Sequence, residues 1–165
     1  MLFRSLKSDF TFLGADRADR LRIVPNGCTT ALRAARRAPS GKTVRLLYLS
    51  NLLVQKGFLD CVDALVEIRR RLPGWSIKLT LAGSFMLGED EYSTSAEMET
   101  ALHKHLRYLD LESQVDVLGV VDGQKKEDLF DASDVFVLPT YYRNEGQPIS
   151  VLEALAAGLP SIVTS

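Results

Sequence analysis

Only two cysteines, Cys28 and Cys61, occur in the 165 residues, too few for a disulfide framework or a metal-ligand cluster. Each is expected to pack as a small apolar side chain. No G-x-G-x-x-G stretch is present, which removes the usual fingerprint of a dinucleotide-binding domain. No apolar run is long enough to cross a bilayer. The first residues, MLFRSLKSDF, are charged throughout and lack the apolar core of a secretory leader, so a cytoplasmic protein is expected. A net charge of −1 leaves no whole-molecule field to gather nucleic acid or an anionic membrane. His103 and His105 stand two apart on a predicted helix, point to different faces, and are not read as a metal site. Arg69, Arg70 and Arg71 read as a solvated helix face.

Hydrophobic residues make up 46% of the chain, enough for one domain with a real core. The main signal is alternation. Leu21 to Pro25, Val44 to Leu49, Ile77 to Ala82, Val115 to Leu118, Val135 to Leu138 and Ser161 to Thr164 read as strands. Between them, Gly57 to Leu72 carries apolar residues at helical spacing and stops at Pro73-Gly74. Further helices are predicted around Met98 to Leu109, over Gln124 to Ala132, and over Ser150 to Ala157, the last closed by Gly158. Gly83 to Ser95 is acidic and reads as a loop. Strands separated by helices imply parallel pairing through right-handed crossovers. Strands such as Val135-Phe136-Val137-Leu138 are apolar on both faces, as a sheet covered by helices on each side requires. The expectation is an α/β, Rossmann-like parallel sheet, whose ligands bind beyond the carboxyl ends of the strands.

Two strand-to-helix turns carry the chemistry. In VFVLPTYYRNEGQPISVLEALAAGLPSIVT, Pro139 ends the strand, Gly146 is expected to take a backbone conformation that other residues avoid, and Pro148 precedes the helix. The amides near Ile149, Ser150 and Val151 then make a ready anion site. Glu145 and Glu153 flank this turn. Their spacing alone carries no weight, because Glu89 with Glu97 and Glu91 with Glu99 share it; the surrounding glycine, proline and helix start set the third pair apart. In YLSNLLVQKG, a strand ends at Ser50-Asn51 and Lys56 lies at the start of the next helix, electrostatically misplaced unless an anion is near. Val24-Pro25-Asn26-Gly27 reads as a turn.

Taken in order, VPNG, LSNLLVQKG, LAG, VDVLGVV and EGQPISVLEALAAGLP resemble the C-terminal domain of the glycogen-synthase-like family of retaining glycosyltransferases (glycosyl transferases group 1). The most specific part is E-G-x-P-x-x-x-x-E-A-x-A-x-G-x-P. The resemblance implies one half of a two-domain enzyme, each half Rossmann-like, with this half holding a UDP- or GDP-linked sugar. It implies that Lys56 neutralises the donor diphosphate and that Glu145 binds hydroxyls of the transferred sugar, with the backbone of Gly146 and Gln147 close by. Ile149, Ser150 and Val151 would face the diphosphate, Glu153 the ribose, and Gly119 and Val120 the base. Asn51 stands where many relatives carry an arginine that works with the lysine, and Ser50 replaces a frequent glycine.

No Asp-x-Asp pair is present; metal-dependent glycosyltransferases use one to hold a cation on the diphosphate, so neither metal nor other cofactor is expected. Residues 1–20 are read as a remnant of an interdomain segment or of a preceding domain, and 21–165 as the nucleotide-sugar domain, incomplete at its C-terminus. The acceptor, a glycan, lipid or small molecule, would bind the missing N-terminal domain, with the parent protein placed in the cytoplasm or at the inner membrane surface. The alternative is a non-catalytic nucleotide-binding or scaffold domain of the same fold.

Overall fold

Strand β1 (Thr43–Leu49) ends in Leu47, Tyr48 and Leu49, three consecutive buried residues. Successive strand side chains point to opposite faces, so both faces of β1 are covered. The computed structural model describes residues 24–28, 32, 41–88 and 92–164. Within them β1, β2 (Ser76–Ala82), β3 (Val115–Leu118), β4 (Val135–Leu138) and β5 (Ser161–Val163) form one parallel sheet in the order β3-β2-β1-β4-β5.

The helices are α1 (Phe58–Arg71), α2 (Ser95–Tyr108), α3 (Gly123–Ala132) and α4 (Ile149–Ala156). In α1 the buried residues Phe58, Cys61, Val62 and Leu65 recur at one-face helical spacing, and in α2 Met98, Leu102 and Leu106 do the same. The Thr94 side chain caps α2 by accepting from the Glu97 amide at 3.1 Å, while Glu97 reaches back to the Ser93 amide at 2.9 Å. Right-handed crossovers put α1 and α2 on one face and, after the chain reverses direction along the sheet, α3 and α4 on the other. The contacts agree. Arg69 of α1 donates to the Leu109 and Asp110 carbonyls at the end of α2, and Lys126 of α3 pairs with Glu153 of α4.

Most predicted elements match within a residue or two at their ends. Of the predicted Leu21 to Pro25 strand, residues 21–23 lie outside the described residues, and Val24 and Pro25 are not in a strand. A 3₁₀ turn, Val54–Lys56, precedes α1; three residues are too short for periodicity to reveal. Arg69, Arg70 and Arg71 are all exposed, as the solvated-face reading has it; Arg69 also caps α2, and Arg70 and Arg71 pair with Glu67. No helix among the described residues is long and apolar enough to cross a membrane.

Candidate functional site

The strand after β1 in sequence lies on one side of it and β4 lies on the other. The gap between β1 and β4 is therefore the topological switch point, where connections leave in opposite directions and a crevice opens at the carboxyl ends. Both chemistry-bearing turns border it: residues 50–57 follow β1, and residues 139–148 follow β4.

Close backbone contact joins the two turns. Gly57 has φ 78°, and a Cβ there would lie 2.3 Å from the Pro139 carbonyl oxygen, so only glycine lets the turns approach this closely. The Tyr141 amide donates to the Gln55 carbonyl at 2.9 Å. Gly83, after β2, makes a similar approach, since a Cβ there would meet the Ser50 carbonyl oxygen. The Leu52 amide donates to the Ser84 carbonyl at 2.8 Å, stitching this third turn to the first. Gly146, expected to need unusual backbone, does not take a positive φ; that freedom is used at Gly57 and Gly83 instead, where neighbouring backbone crowds.

These contacts bring Lys56 and Glu145 together across the switch point. The Lys56 ammonium lies 3.1 Å from Oε2 of Glu145, with 16% and 18% of the two side chains exposed. Oε2 is buried and makes no hydrogen bond, so the contact with Lys56 is an ion pair rather than a directed hydrogen bond. Lys56 also donates to the Ser50 hydroxyl at 3.3 Å and sits 5.7 Å from the Tyr142 ring centroid, within cation–π reach. The anion that its placement called for is thus a carboxylate of this chain. Behind the pair, Tyr48 is fully buried and donates to the Asn51 carbonyl at 3.1 Å. Burial first, then the nearby Cys61 and Glu145, hold its phenol well above the usual range, and a hydrogen bond from Ser50 offsets part of that rise.

Glu153 occupies a different position. It is only 7% exposed, on the buried side of α4, and its Oε1 accepts from Lys126 at 2.6 Å. Val151 is also buried, and its amide already donates to the Pro148 carbonyl at 3.2 Å. That corrects the expectation of an open amide at this position, because the helix closes its first turn with a short-range bond. Ile149 is half exposed and Ser150 partly so. Gln147 faces the 24–28 segment: its side chain accepts from the Asn26 amide, and its carbonyl accepts from Asn26 Nδ2 at 2.9 Å. Asn51 is exposed. Gly119 and Val120 follow edge strand β3, two strands from β1; Val120 is 72% exposed, and a Cβ added at Gly119 would meet nothing within 4 Å.

Sequence reasoning missed Tyr48, Tyr142 and Lys126. A tyrosine closing an otherwise aliphatic strand, VRLLYL, was the available signal for the first. On the α1–α2 face, a separate cavity of about 350 Å³ is lined by Phe58, Asp63, Met98 and His105 among others; His105 Nε2 lies 2.7 Å from Asp63 there.

An open parallel sheet whose switch-point crevice presents a lysine and a glutamate defines a Rossmann-like ligand-binding domain. Residues 43–165 match the family Glycosyl transferases group 1, and the chain belongs to it. It is 32% identical over 124 residues to the mannosylfructose-phosphate synthase of Agrobacterium fabrum, covering 75% of this chain and 25% of that protein. It is 31% identical over 163 residues to the glycogen synthase of Mycobacterium tuberculosis, covering 98% of this chain and 35% of that one. The chain thus spans about a quarter to a third of the length of these curated relatives.

Among solved structures it is similar to the pneumococcal O-GlcNAc transferase GtfA in complex with UDP and GlcNAc (TM-score 0.56, 19% identity, 81% of this chain and 22% of that one). It is also similar to Anabaena Alr3699/HepE in complex with UDP-glucose (TM-score 0.57, 21% identity, 73% and 29%). These likenesses establish the fold, a Rossmann-like α/β domain of the kind found within glycosyltransferases.

Proposed function

We propose that this chain is the donor-binding part of a retaining glycosyltransferase that moves a sugar from UDP or GDP to an acceptor, with no metal or other cofactor. The observation that carries the reading is the Lys56–Glu145 pair at the switch point, with Glu145 Oε2 buried and without a hydrogen bond. The Glu145 side chain is 18% exposed, so a sugar hydroxyl can donate to the carboxylate oxygen that does not face Lys56, and a diphosphate offers Lys56 a second anionic partner. When the bond from the anomeric carbon to the diphosphate breaks and a bond to the acceptor oxygen forms, negative charge develops on the departing phosphate. A cation already held beside it lowers that barrier. Glu153, steadied by Lys126, is left for the ribose, Ile149 and Ser150 for the diphosphate, and Gly119 and Val120 for the base. The UDP complexes named above support this reading.

Residues 21–165 would then form the nucleotide-sugar domain of a cytoplasmic enzyme, working at the inner membrane surface where its acceptor is a lipid. Residues 1–20 would belong to the preceding segment. A second Rossmann-like domain would bind the acceptor, so the isolated chain binds donor without efficient transfer. The neutral, exposed Asn51 favours the other reading, a non-catalytic domain that has kept the fold.

Calorimetric titration of this chain with UDP and GDP tests the first step; no heat with either at millimolar concentration sinks it. In the full-length protein, Lys56→Ala and Glu145→Ala should each lower transfer by about a hundredfold or more, the scale for removing one group that stabilises developing charge. Unchanged rates in both would leave the scaffold reading standing.

A further inference from the structure

We propose that Asn26 is a positioning residue that fixes the 145–147 loop for the transferred sugar through two hydrogen bonds to Gln147. The inference rests on the reading of the crevice as a donor site. The Asn26 amide donates to Gln147 Oε1, and Asn26 Nδ2 donates to the Gln147 carbonyl at 2.9 Å. The two residues stand 121 positions apart in the chain. One bond from the backbone and one from the side chain fix both where Gln147 sits and how it is turned. A backbone N–H can only donate, so the side-chain atom that meets it is the amide oxygen. The Nε2 hydrogens are then the part of the Gln147 side chain not spent on Asn26.

The plainer account is a surface contact of little consequence, since Asn26 is exposed. The backbone around Gln147 favours more than that. At one end the loop is anchored by the Glu145 amide, which donates to the Tyr142 carbonyl at 3.0 Å, and at the other by the Val151 amide on the Pro148 carbonyl. Between these anchors Pro148 has no N–H, and the Gly146 and Gln147 amides make no backbone hydrogen bond among the described residues. A stretch with so few bonds of its own has many conformations to lose. Asn26 supplies the restraint from outside, and Pro25, with its fixed φ, stiffens the segment that presents it.

That restraint bears on the sugar more than on the nucleotide. The donor-site reading gives the diphosphate to Lys56, Ile149 and Ser150 and the base to Gly119 and Val120, none of them in this loop. Glu145, with the backbone of Gly146 and Gln147, is left for the sugar. Sugar hydroxyls that meet groups already held in place bind more tightly without any new contact. Asn26 thus acts through Gln147 and need not touch the donor.

The test is calorimetric titration of wild type, Asn26→Ala and Asn26→His with UDP and UDP-glucose, and with GDP and GDP-mannose in parallel. Wild type should bind at least one sugar-bearing donor more tightly than its bare diphosphate. Asn26→Ala should weaken that donor about fivefold, the scale of one lost neutral hydrogen bond, and leave the bare diphosphate as in wild type. Asn26→His, whose Nδ1–H can take the place of the lost Nδ2 donor, should restore most of the difference. Thermal midpoints should stay together, because the site is exposed. Equal losses for donor and bare diphosphate in Asn26→Ala mark a general structural role and overturn the proposal, as do unchanged affinities for both. A wild type that gains nothing from either sugar overturns it too, while leaving the diphosphate site standing. A wild type that binds neither diphosphate instead sinks the donor-site reading, and this inference with it.

Discussion

The Lys126 ammonium lies 2.6 Å from Oε1 of Glu153, joining α3 to α4 with only 27% and 9% of the two side chains exposed. A carboxylate this deep is tolerated because a cation reaches it. Removing one partner leaves the other buried and uncompensated, which costs far more than the pair's net contribution.

Lys126→Met should therefore destabilise the chain by about 2 kcal/mol, a value set below that of a fully buried pair because Lys126 keeps some contact with water. Glu153→Gln should cost less, since the more exposed lysine regains solvent. The double variant should cost less than the sum of the two singles. Urea denaturation midpoints at constant slope measure all three; strict additivity would show that the two side chains are not coupled.

Alkaline pH should loosen the fold through the core rather than the surface. Burial pushes the Cys61 thiol up from its ordinary 9.0 to about 12, and the Asp60 carboxylate adds to the rise. Between those values the folded chain keeps a proton that the unfolded chain has released, so stability falls as pH climbs from about 9 towards about 12 and is unaffected below that window. The buried Tyr48 phenol, also shifted upward, acts in the same sense at higher pH. Cys61→Ala should flatten the first part of the decline in thermal unfolding curves recorded across this range. Identical pH profiles for the variant and wild type would remove Cys61 from the explanation. In native protein the partly exposed Cys28 should react with iodoacetamide while buried Cys61 stays protected.

The strands and helices were legible because their signals are local: apolar runs on both faces of β4, and one-face spacing in α1 and α2. The two crevice turns were legible as places for the same reason, since glycine, proline and charge cluster where strands end. Partners were not. Nothing near Lys56 in the chain announces that Glu145 will face it, and nothing near Glu153 marks Lys126 as its counter-ion, because both pairings arise only when the crossovers bring separate turns and helices together. Glycine was misjudged for a related reason. Gly146 looked constrained from its neighbours in sequence, while the crowding that demands glycine at Gly57 comes from Pro139, a residue of another turn.

That difference separates structural glycines from ones that matter only to a ligand. At Gly57, left-handed backbone and the approach of the Pro139 carbonyl both oppose a side chain, so Gly57→Ala should cost about 2 kcal/mol. Relieving the contact moves the 3₁₀ turn away from β4, breaks the bond from the Tyr141 amide to Gln55, and draws Lys56 away from Glu145. Both Tm and UDP affinity should fall. At Gly119 a Cβ meets nothing within 4 Å, so Gly119→Ala should keep the wild-type Tm. If the base lies against this backbone, as the donor-site reading has it, the added methyl should still weaken UDP binding. Calorimetry of the two variants, thermal and titrating, checks both halves. A Gly119→Ala chain that binds UDP as wild type does would move the base elsewhere along the sheet edge, and a Gly57→Ala chain of undiminished stability would show that the two turns can part without cost.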